Sequence, residues 1–157
     1  QALHTYFKVG DITGVKLYGL EGKTYLDKVD NGISKTQSGV VTIDKEVDRI
    51  YTAVAGELVI EDPSLQRRIK ITSKGSTTTV VWNPWAGVAA EMGDLEDADY
   101  LRLLCVETAN AADEVVDVPP AGEYRLQTVY RIESDPIDFT IDFRVMKAQC
   151  YERLTLT

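Results

Sequence analysis

The chain carries a single histidine, which makes that residue its main candidate for proton chemistry near neutral pH. His4 lies in the segment Leu3-His4-Thr5-Tyr6-Phe7. Alternation along a strand places His4 and Tyr6 on one face and the other three residues on the opposite face. An imidazole in such a place can donate a proton to a substrate, but the same spacing fits an exposed or hydrogen-bonded strand histidine. The spacing alone leaves both interpretations open.

Glu107 is the second candidate because it closes an otherwise apolar stretch, Leu103-Leu104-Cys105-Val106, and is followed by small residues at 108–112. A carboxylate at the end of a buried strand needs either polar partners or a chemical role. Glu107 is therefore a candidate general base. The alternative is a structural carboxylate paired with an arginine or with backbone donors.

Two further features fit a binding site. Asp48, in Glu46-Val47-Asp48-Arg49-Ile50-Tyr51, is a candidate ligand for hydroxyl groups, or else a turn or ion-pair residue. The segment Trp82-Asn83-Pro84-Trp85 fixes two aromatic rings near a turn. Such rings can form a stacking wall for a sugar, although paired core tryptophans explain them equally well.

Cys105 and Cys150 are far apart in sequence, and neither has a Cys or His companion at metal-ligand spacing. The sequence therefore predicts no metal site, and Cys105 is expected to act as a small buried hydrophobe. Two unpaired thiols are consistent with a reducing compartment.

The segments that must position these residues are short and rich in β-formers. Ile69 and Ile71 alternate with polar neighbours, as in a half-buried strand, and Gly-, Asp- and Pro-containing turn signals separate the segments. This punctuation predicts an all-β fold, an antiparallel β-sandwich or barrel. The predicted early strands are 3–9, 15–18, 25–29, 40–43, 58–60, 69–72 and 77–82.

The second half of the chain contains one interruption of this pattern. For residues 85–100 the sequence predicts a short helix or an irregular segment, because Pro84 suits a first helical turn and helix formers follow it. Residues 100–108 predict a buried central strand, 119–122 a turn and 123–132 a returning strand. The strictly alternating segment 137–145 predicts a further strand.

Composition excludes several classes of function. The chain has 157 residues, 44% of them hydrophobic, which suits one domain or part of one. Its net charge of -8 argues against nucleic acid as a partner. No apolar run approaches the ~18 residues of a membrane span, and no basic-then-apolar leader opens the chain. We therefore expect a cytoplasmic protein with no membrane partner.

Five segments occur in order along the chain: LHTYF (3–7), GLEGKTYLDK (19–28), EVDRIY (46–51), VVWNPW (80–85) and CVETANA (105–111). Together they resemble the glucose-6-phosphate 1-epimerases, or hexose-6-phosphate mutarotases, of the galactose-mutarotase-like superfamily. The resemblance covers roughly residues 3–133. It implies a large antiparallel β-sandwich, a supersandwich, and a cofactor-free isomerase that interconverts the α and β anomers of a hexose 6-phosphate.

The resemblance also implies roles for individual residues. His4 is expected to protonate the ring oxygen as general acid, and Glu107 to take the anomeric hydroxyl proton as general base. The two are expected to face each other across a gap the size of a sugar. Asp48 is expected to hold sugar hydroxyls. The other expected substrate-binding residues are Trp82, Asn83 and Trp85, from the segment that flanks the cleft.

The family places sheet structure and the phosphate-holding arginines before the histidine motif. We therefore expect the chain to be N-terminally truncated, with residues 1–133 forming the C-terminal part of one sandwich and 134–157 an atypical tail. Arg49, Arg67 and Arg68 are interpreted as strand-face charges, and no phosphate ligand is assigned. The full-length enzyme is expected to be a monomer, whereas the fragment can self-associate through free strand edges.

Three functions remain open. The first is a mutarotase acting on hexose 6-phosphate, and the second is an aldose 1-epimerase acting on unphosphorylated sugars. The third is a non-catalytic carbohydrate-binding β-sandwich that keeps the cleft without turnover.

Overall fold

The computed structural model of the chain describes residues 1–96 and 98–134. Most of its regular structure is β-sheet, as predicted. The strands are β1 (Ala2–Leu3), β2 (Tyr6–Lys8), β3 (Lys16–Tyr18), β4 (Thr24–Asp27), β5 (Ile33–Thr36), β6 (Val47–Tyr51), β7 (Glu57–Asp62), β8 (Arg67–Lys74), β9 (Thr78–Asn83), β10 (Leu103–Ala109) and β11 (Gln127–Ser134). Every pairing between these strands is antiparallel.

The strands form a seven-stranded and a four-stranded sheet. The larger sheet has the order β1-β10-β9-β6-β4-β5, and β2 continues the edge that β1 begins on β10. The smaller sheet has the order β11-β8-β7-β3. Strand β10 thus lies between the histidine-bearing edge and β9, and it brings distant parts of the chain together.

A single hydrophobic core joins the two sheets. Leu104 and Val106 from β10 belong to the same cluster as Ile69 and Ile71 from β8. Contacts at one end confirm the packing, because the rings of Phe7 and Tyr130 meet edge to face at 5.2 Å. The fold is therefore the predicted antiparallel β-sandwich, with the inward alternation predicted for 69–72.

Two early strand predictions need correction. The segment 3–9 is divided, because His4 and Thr5 interrupt the ladder between β1 and β2. The segment 40–43 is not a strand, since its pairing is one isolated bridge from Val41 to Leu17. Its apolar side chains pack into the core, where Val41 is only 1% exposed.

Strands β5 and β6 were not predicted as strands. Strand β5 follows a tight turn in which Asn31 and Gly32 take φ values of 53° and 75°. The left-handed conformation suits these two residue types and sends the chain back along β4. Strand β6 has charged residues in its interior, Asp48 and Arg49, so the alternation of apolar and polar residues is hidden.

The predicted interruption after Pro84 is present. It contains helix α1 (Trp85–Ala89) and a 3-10 helix at Asp99–Arg102. The turn at 119–122 is closed by the Gly122 amide, which donates to the Pro119 carbonyl. Strand β11 begins later than predicted, at Gln127, and the predicted strand at 137–145 lies outside the described residues. None of the helices formed by the described residues has the length and apolarity needed to cross a bilayer.

Candidate active site

The two candidate proton carriers lie opposite each other on one face of the larger sheet. Leu3 pairs with Thr108 on one side of them and Tyr6 pairs with Cys105 on the other. The same register sets His4 opposite Glu107, and facing positions of an antiparallel pair point to the same side. Strand pairing therefore joins residues that are distant in sequence.

The side chains of this pair are in direct contact. His4 Nε2 lies 3.4 Å from Glu107 Oε1. The His4 side chain is 50% exposed, whereas the Glu107 side chain is only 6% exposed. The imidazole can therefore move without disturbing the core, while the carboxylate is held by its buried strand. The sugar-sized gap expected from the sequence is closed in this structure.

Aromatic rings surround the histidine. The His4 and Tyr6 rings stack at 4.8 Å with an angle of 9° between their planes. Trp82 meets both rings edge on, with centroids 6.2 Å from His4 and 6.1 Å from Tyr6. These contacts hold the imidazole beside the carboxylate and give the site an apolar rim.

Asp48 lies on the same face of the larger sheet, on β6, which is separated from β10 by β9. It pairs with Trp82 across β6 and β9, and Trp82 pairs with Cys105 across β9 and β10. Burial raises the pKa of the Asp48 carboxyl, the Lys28 charge opposes this change, and the Asp27 charge adds to it. Asp48 is thus a strand residue facing the site, rather than the turn residue that its Asp-Arg sequence also suggested.

The surroundings of Glu107 raise the affinity of its carboxylate for a proton. Burial raises the pKa of this carboxyl, the neighbouring His4 lowers it, and the Asp48 charge raises it further. A carboxylate with a raised pKa accepts a proton more readily than an exposed one. Glu107 is therefore placed to act as a base, with His4 Nε2 in contact at 3.4 Å.

Asn83 and Trp85 are not brought to this pair. Asn83 is fully buried, and its side-chain amide donates to the carbonyls of Tyr100 and Leu103 at 2.8 and 2.9 Å. Its side-chain oxygen accepts from the Trp85 amide at 2.9 Å. Strand alternation places Asn83 on the core side of β9, opposite to Trp82. Trp85 packs against the ring of Tyr100, with centroids 5.2 Å apart.

The arginines singled out in the sequence have structural partners. Arg49 lies on the other face of the larger sheet, where its guanidinium contacts Gln37 and Tyr51 and covers the Tyr25 ring at 4.9 Å. Arg67 pairs with the buried Asp62 at 3.5 Å, and Arg68 pairs with Glu61 at 3.6 Å. Neither Arg49 nor Arg67 faces the His4–Glu107 pair.

Tyr6 and Cys105 are site residues that sequence reasoning did not select. Tyr6 could have been found, because alternation already placed it beside His4. Cys105 lies two positions before Glu107 and is fully buried, as expected, with its thiol pKa raised by burial and by the Glu107 charge. The ligand atoms of His4, Cys105 and Glu107 all lie within 4.8 Å of one another. Spacing along the chain did not show this cluster.

Comparison with known proteins identifies similar chains. The profile of the family "Aldose 1-epimerase" matches residues 1–131. A protein from Cenchrus ciliaris named "Putative glucose-6-phosphate 1-epimerase" is 38% identical over 125 residues, which is 79% of this chain. A protein of the same name from Escherichia coli is 38% identical over 113 residues, or 71% of this chain.

A solved structure shows the same architecture. The crystal structure of a "putative mutarotase (YeaD)" from Salmonella typhimurium superimposes with a TM-score of 0.75 at 34% sequence identity. The match covers 85% of this chain and 45% of that one. Likewise, this chain spans only 38% of the length of each of the two curated relatives. The sandwich is therefore of the galactose-mutarotase-like type.

Proposed function

The chain belongs to the aldose 1-epimerase family, and we propose that it carries the acid and base of a mutarotase that interconverts the α and β anomers of a hexose 6-phosphate. The observation that carries the proposal is the 3.4 Å contact between His4 Nε2 and Glu107 Oε1. The names of the curated relatives support glucose 6-phosphate as the substrate.

The reaction needs one acid and one base. Glu107 takes the proton of the anomeric hydroxyl while His4 gives a proton to the ring oxygen, and the bond between that oxygen and the anomeric carbon breaks. The product is the open-chain aldehyde. Rotation about the first carbon-carbon bond presents the other face of the aldehyde, and the same two residues reverse their roles to close the ring.

The short His4–Glu107 distance suits this chemistry. The hydroxyl oxygen and the ring oxygen are bonded to the same carbon, so the acid and the base must reach two atoms that are close together. In our proposal, the half-exposed His4 ring moves aside by a small amount as the sugar enters, while Glu107 remains fixed on β10. A small movement of one side chain replaces the preformed gap that the sequence suggested.

We assign binding roles to the polar and aromatic neighbours. Asp48 accepts hydrogen bonds from sugar hydroxyls, and Trp82 provides an apolar wall beside the ring. Asn83 and Trp85 act indirectly, because Asn83 ties the end of β9 to the backbone that leads into β10. In this arrangement they hold Trp82 in place and do not touch the sugar.

Unphosphorylated sugars are the second candidate substrate, because no described residue is assigned to a phosphate group. A carbohydrate-binding sandwich without turnover is the third possibility. In this proposal, residues 1–133 are the C-terminal part of one sandwich, and the protein works in the cytoplasm as a monomer.

Saturation-transfer NMR tests the proposal by measuring anomer exchange directly. Glucose 6-phosphate, free glucose and free galactose are compared, each with the protein at its full natural length. We expect fast exchange for glucose 6-phosphate. Faster exchange of the free sugars would favour the second candidate, and binding without exchange of any of the three would favour the carbohydrate-binding sandwich.

A further inference from the structure

Three different ligand types meet at the floor of the site. Nitrogen from His4, sulfur from Cys105 and oxygen from Glu107 all lie within 4.8 Å of one another. Zinc is bound in proteins by these same three atom types. Catalytic zinc sites commonly use three protein ligands and leave a fourth position open. The composition of the cluster therefore matches a known class of metal site.

The distances require only a small adjustment. Zinc bonds of about 2.1 Å to nitrogen or oxygen and about 2.3 Å to sulfur, in tetrahedral geometry, separate neighbouring ligand atoms by about 3.5 Å. The His4–Glu107 distance of 3.4 Å already has this value. No separation in the cluster exceeds 4.8 Å, about 1.3 Å more than this value. The half-exposed His4 side chain can rotate to shorten its own distances, while Cys105 and Glu107 must approach each other by side-chain rotation on β10.

The surroundings also suit a bound cation. Cys105 and Glu107 are two positions apart on β10, so both side chains point to the same face. Asp48, on the same face, adds a negative charge that acts on Glu107. Tyr6 and Trp82 contact His4 and form an apolar shell, which strengthens electrostatic attraction at a metal site.

We propose that His4 Nε2, Cys105 Sγ and a Glu107 carboxylate oxygen bind a zinc ion, and that the bound ion inhibits the site. Water from the exposed side of His4 fills the fourth position. The thiol proton leaves to solvent when the Zn–S bond forms, so each ion bound releases one proton from Cys105. Inhibition rests on the proposed function, because the ion occupies the nitrogen and the oxygen that would otherwise exchange protons with the sugar.

Cobalt(II) substitution tests the binding step. The purified chain is stripped of metal with a chelator and titrated with cobalt chloride, and the near-ultraviolet thiolate-to-cobalt charge-transfer band is recorded. We expect a saturating band at one equivalent, which zinc displaces. The band should be absent in Cys105→Ser and retained in Cys150→Ser, the matched control for the chain's other cysteine. Absence of the band in the parent chain, or its loss only in Cys150→Ser, would overturn the proposal.

A second variant keeps the test valid if a change at the buried Cys105 prevents folding. His4→Asn alters a half-exposed side chain, so we expect it to fold normally by circular dichroism. Changes in groups that merely support metal ligands weaken binding by about 10- to 100-fold, so loss of a ligand should cost at least about 10-fold in cobalt affinity. Unchanged affinity in a folded His4→Asn variant would exclude the histidine and overturn the proposed site.

Activity then separates this inference from the proposed function. If glucose 6-phosphate is exchanged, zinc should inhibit with the same half-saturation as it shows in displacing cobalt, and a chelator should restore the rate. Exchange without any cobalt band would overturn the metal site and leave the mutarotase standing. A cobalt band without exchange would support the metal site and count against the mutarotase. Full exchange in protein saturated with zinc would contradict inhibition.

Discussion

Two glutamates of this chain have opposite electrostatic settings. Glu107 lies within β10, buried, with His4 Nε2 at 3.4 Å from its carboxylate. Glu114 lies just beyond β10, where it accepts hydrogen bonds from the Thr77 amide at 2.7 Å and the Thr77 hydroxyl at 3.0 Å, and contacts the Thr78 hydroxyl at 2.8 Å. Burial raises the pKa of the Glu107 carboxyl. At Glu114 the hydrogen bonds outweigh burial and lower the pKa.

The difference separates a carboxylate that holds structure from one that is available for chemistry. A structural carboxylate is stabilised in its charged form by donors that remain in place. A general base must instead be able to accept a proton, so fixed donors would weaken it. By this criterion Glu107 belongs to the second kind and Glu114 to the first.

The largest effect should come from neutralising Glu107. We expect Glu107→Gln to slow anomer exchange of glucose 6-phosphate by at least about 100-fold, because the amide cannot take the hydroxyl proton. Saturation-transfer NMR on the full-length protein, in the presence of a chelator, measures the change. Glu114→Gln is the matched control and should exchange within about 3-fold of the parent protein. Equal rates in the two variants would remove the distinction between the glutamates.

His4→Asn should have an effect of similar size. Asparagine preserves polarity but cannot deliver a proton to the ring oxygen, so exchange should again fall by about 100-fold. The double variant with Glu107→Gln should lose less than the product of the two single losses, because one acid and one base serve the same transition state. Near-normal exchange in His4→Asn would remove the histidine from the mechanism.

Changes at Glu114, rather than at Glu107, should lower the stability of the fold. Glu114→Ala removes the acceptor for the Thr77 donors and a contact of the buried Thr78, so it should lower the free energy of unfolding by about 1–2 kcal/mol. Urea unfolding followed by circular dichroism measures the loss. Thr77→Val removes only the hydroxyl contact and should cost less. A Glu114→Ala variant as stable as the parent would contradict the structural role.

The sequence predicts features that depend on local patterns better than contacts that depend on the pairing of distant strands. Alternation at Ile69 and Ile71 predicted a half-buried strand of a sandwich or barrel, because burial on one face of a strand leaves a pattern of period two. It could not identify β6, where Asp48 and Arg49 occupy adjacent positions on opposite faces. The contact between His4 and Glu107 depends on strand register, which is set by pairing between distant segments. Family resemblance selected these two residues, and the fold supplied their distance.

The pH dependence of stability should distinguish Glu114 from an ordinary surface carboxylate. Its folded pKa is lowered, so its contribution is complete above the unfolded value near ~4.3 and is lost as pH falls through the folded pKa. The groups that hydrogen-bond to it, Ser76, Thr77, Thr78 and Asn110, are uncharged. The stability difference between the parent and Glu114→Gln should therefore be constant from pH 7 to about pH 5 and shrink below ~4.3. A constant difference down to pH 3 would contradict the lowered pKa.

The smallest expected effect is a gain in the free energy of unfolding. The folded pKa of Glu107 is raised, so its ionised form destabilises the native state above the unfolded value near ~4.3, and the cost disappears as pH falls below that value. Glu107→Gln should therefore raise the free energy of unfolding at pH 7 by up to about 1 kcal/mol, although the same change slows exchange. The charged groups that act on Glu107 are His4, which lowers its pKa, and Asp48, which raises it.

The His4→Asn background sharpens this last test. Without the imidazole, Glu107 loses a neighbour that lowers its pKa, so the gain in stability from Glu107→Gln should be larger there than in the parent. Urea unfolding of the four proteins of this cycle, with a chelator present, gives both gains. If Glu107→Gln instead costs more than about 1 kcal/mol in both backgrounds, the carboxylate is a structural anchor like Glu114. The buried strand would then hold Glu107 for stability, and the base of the reaction would have to be sought elsewhere.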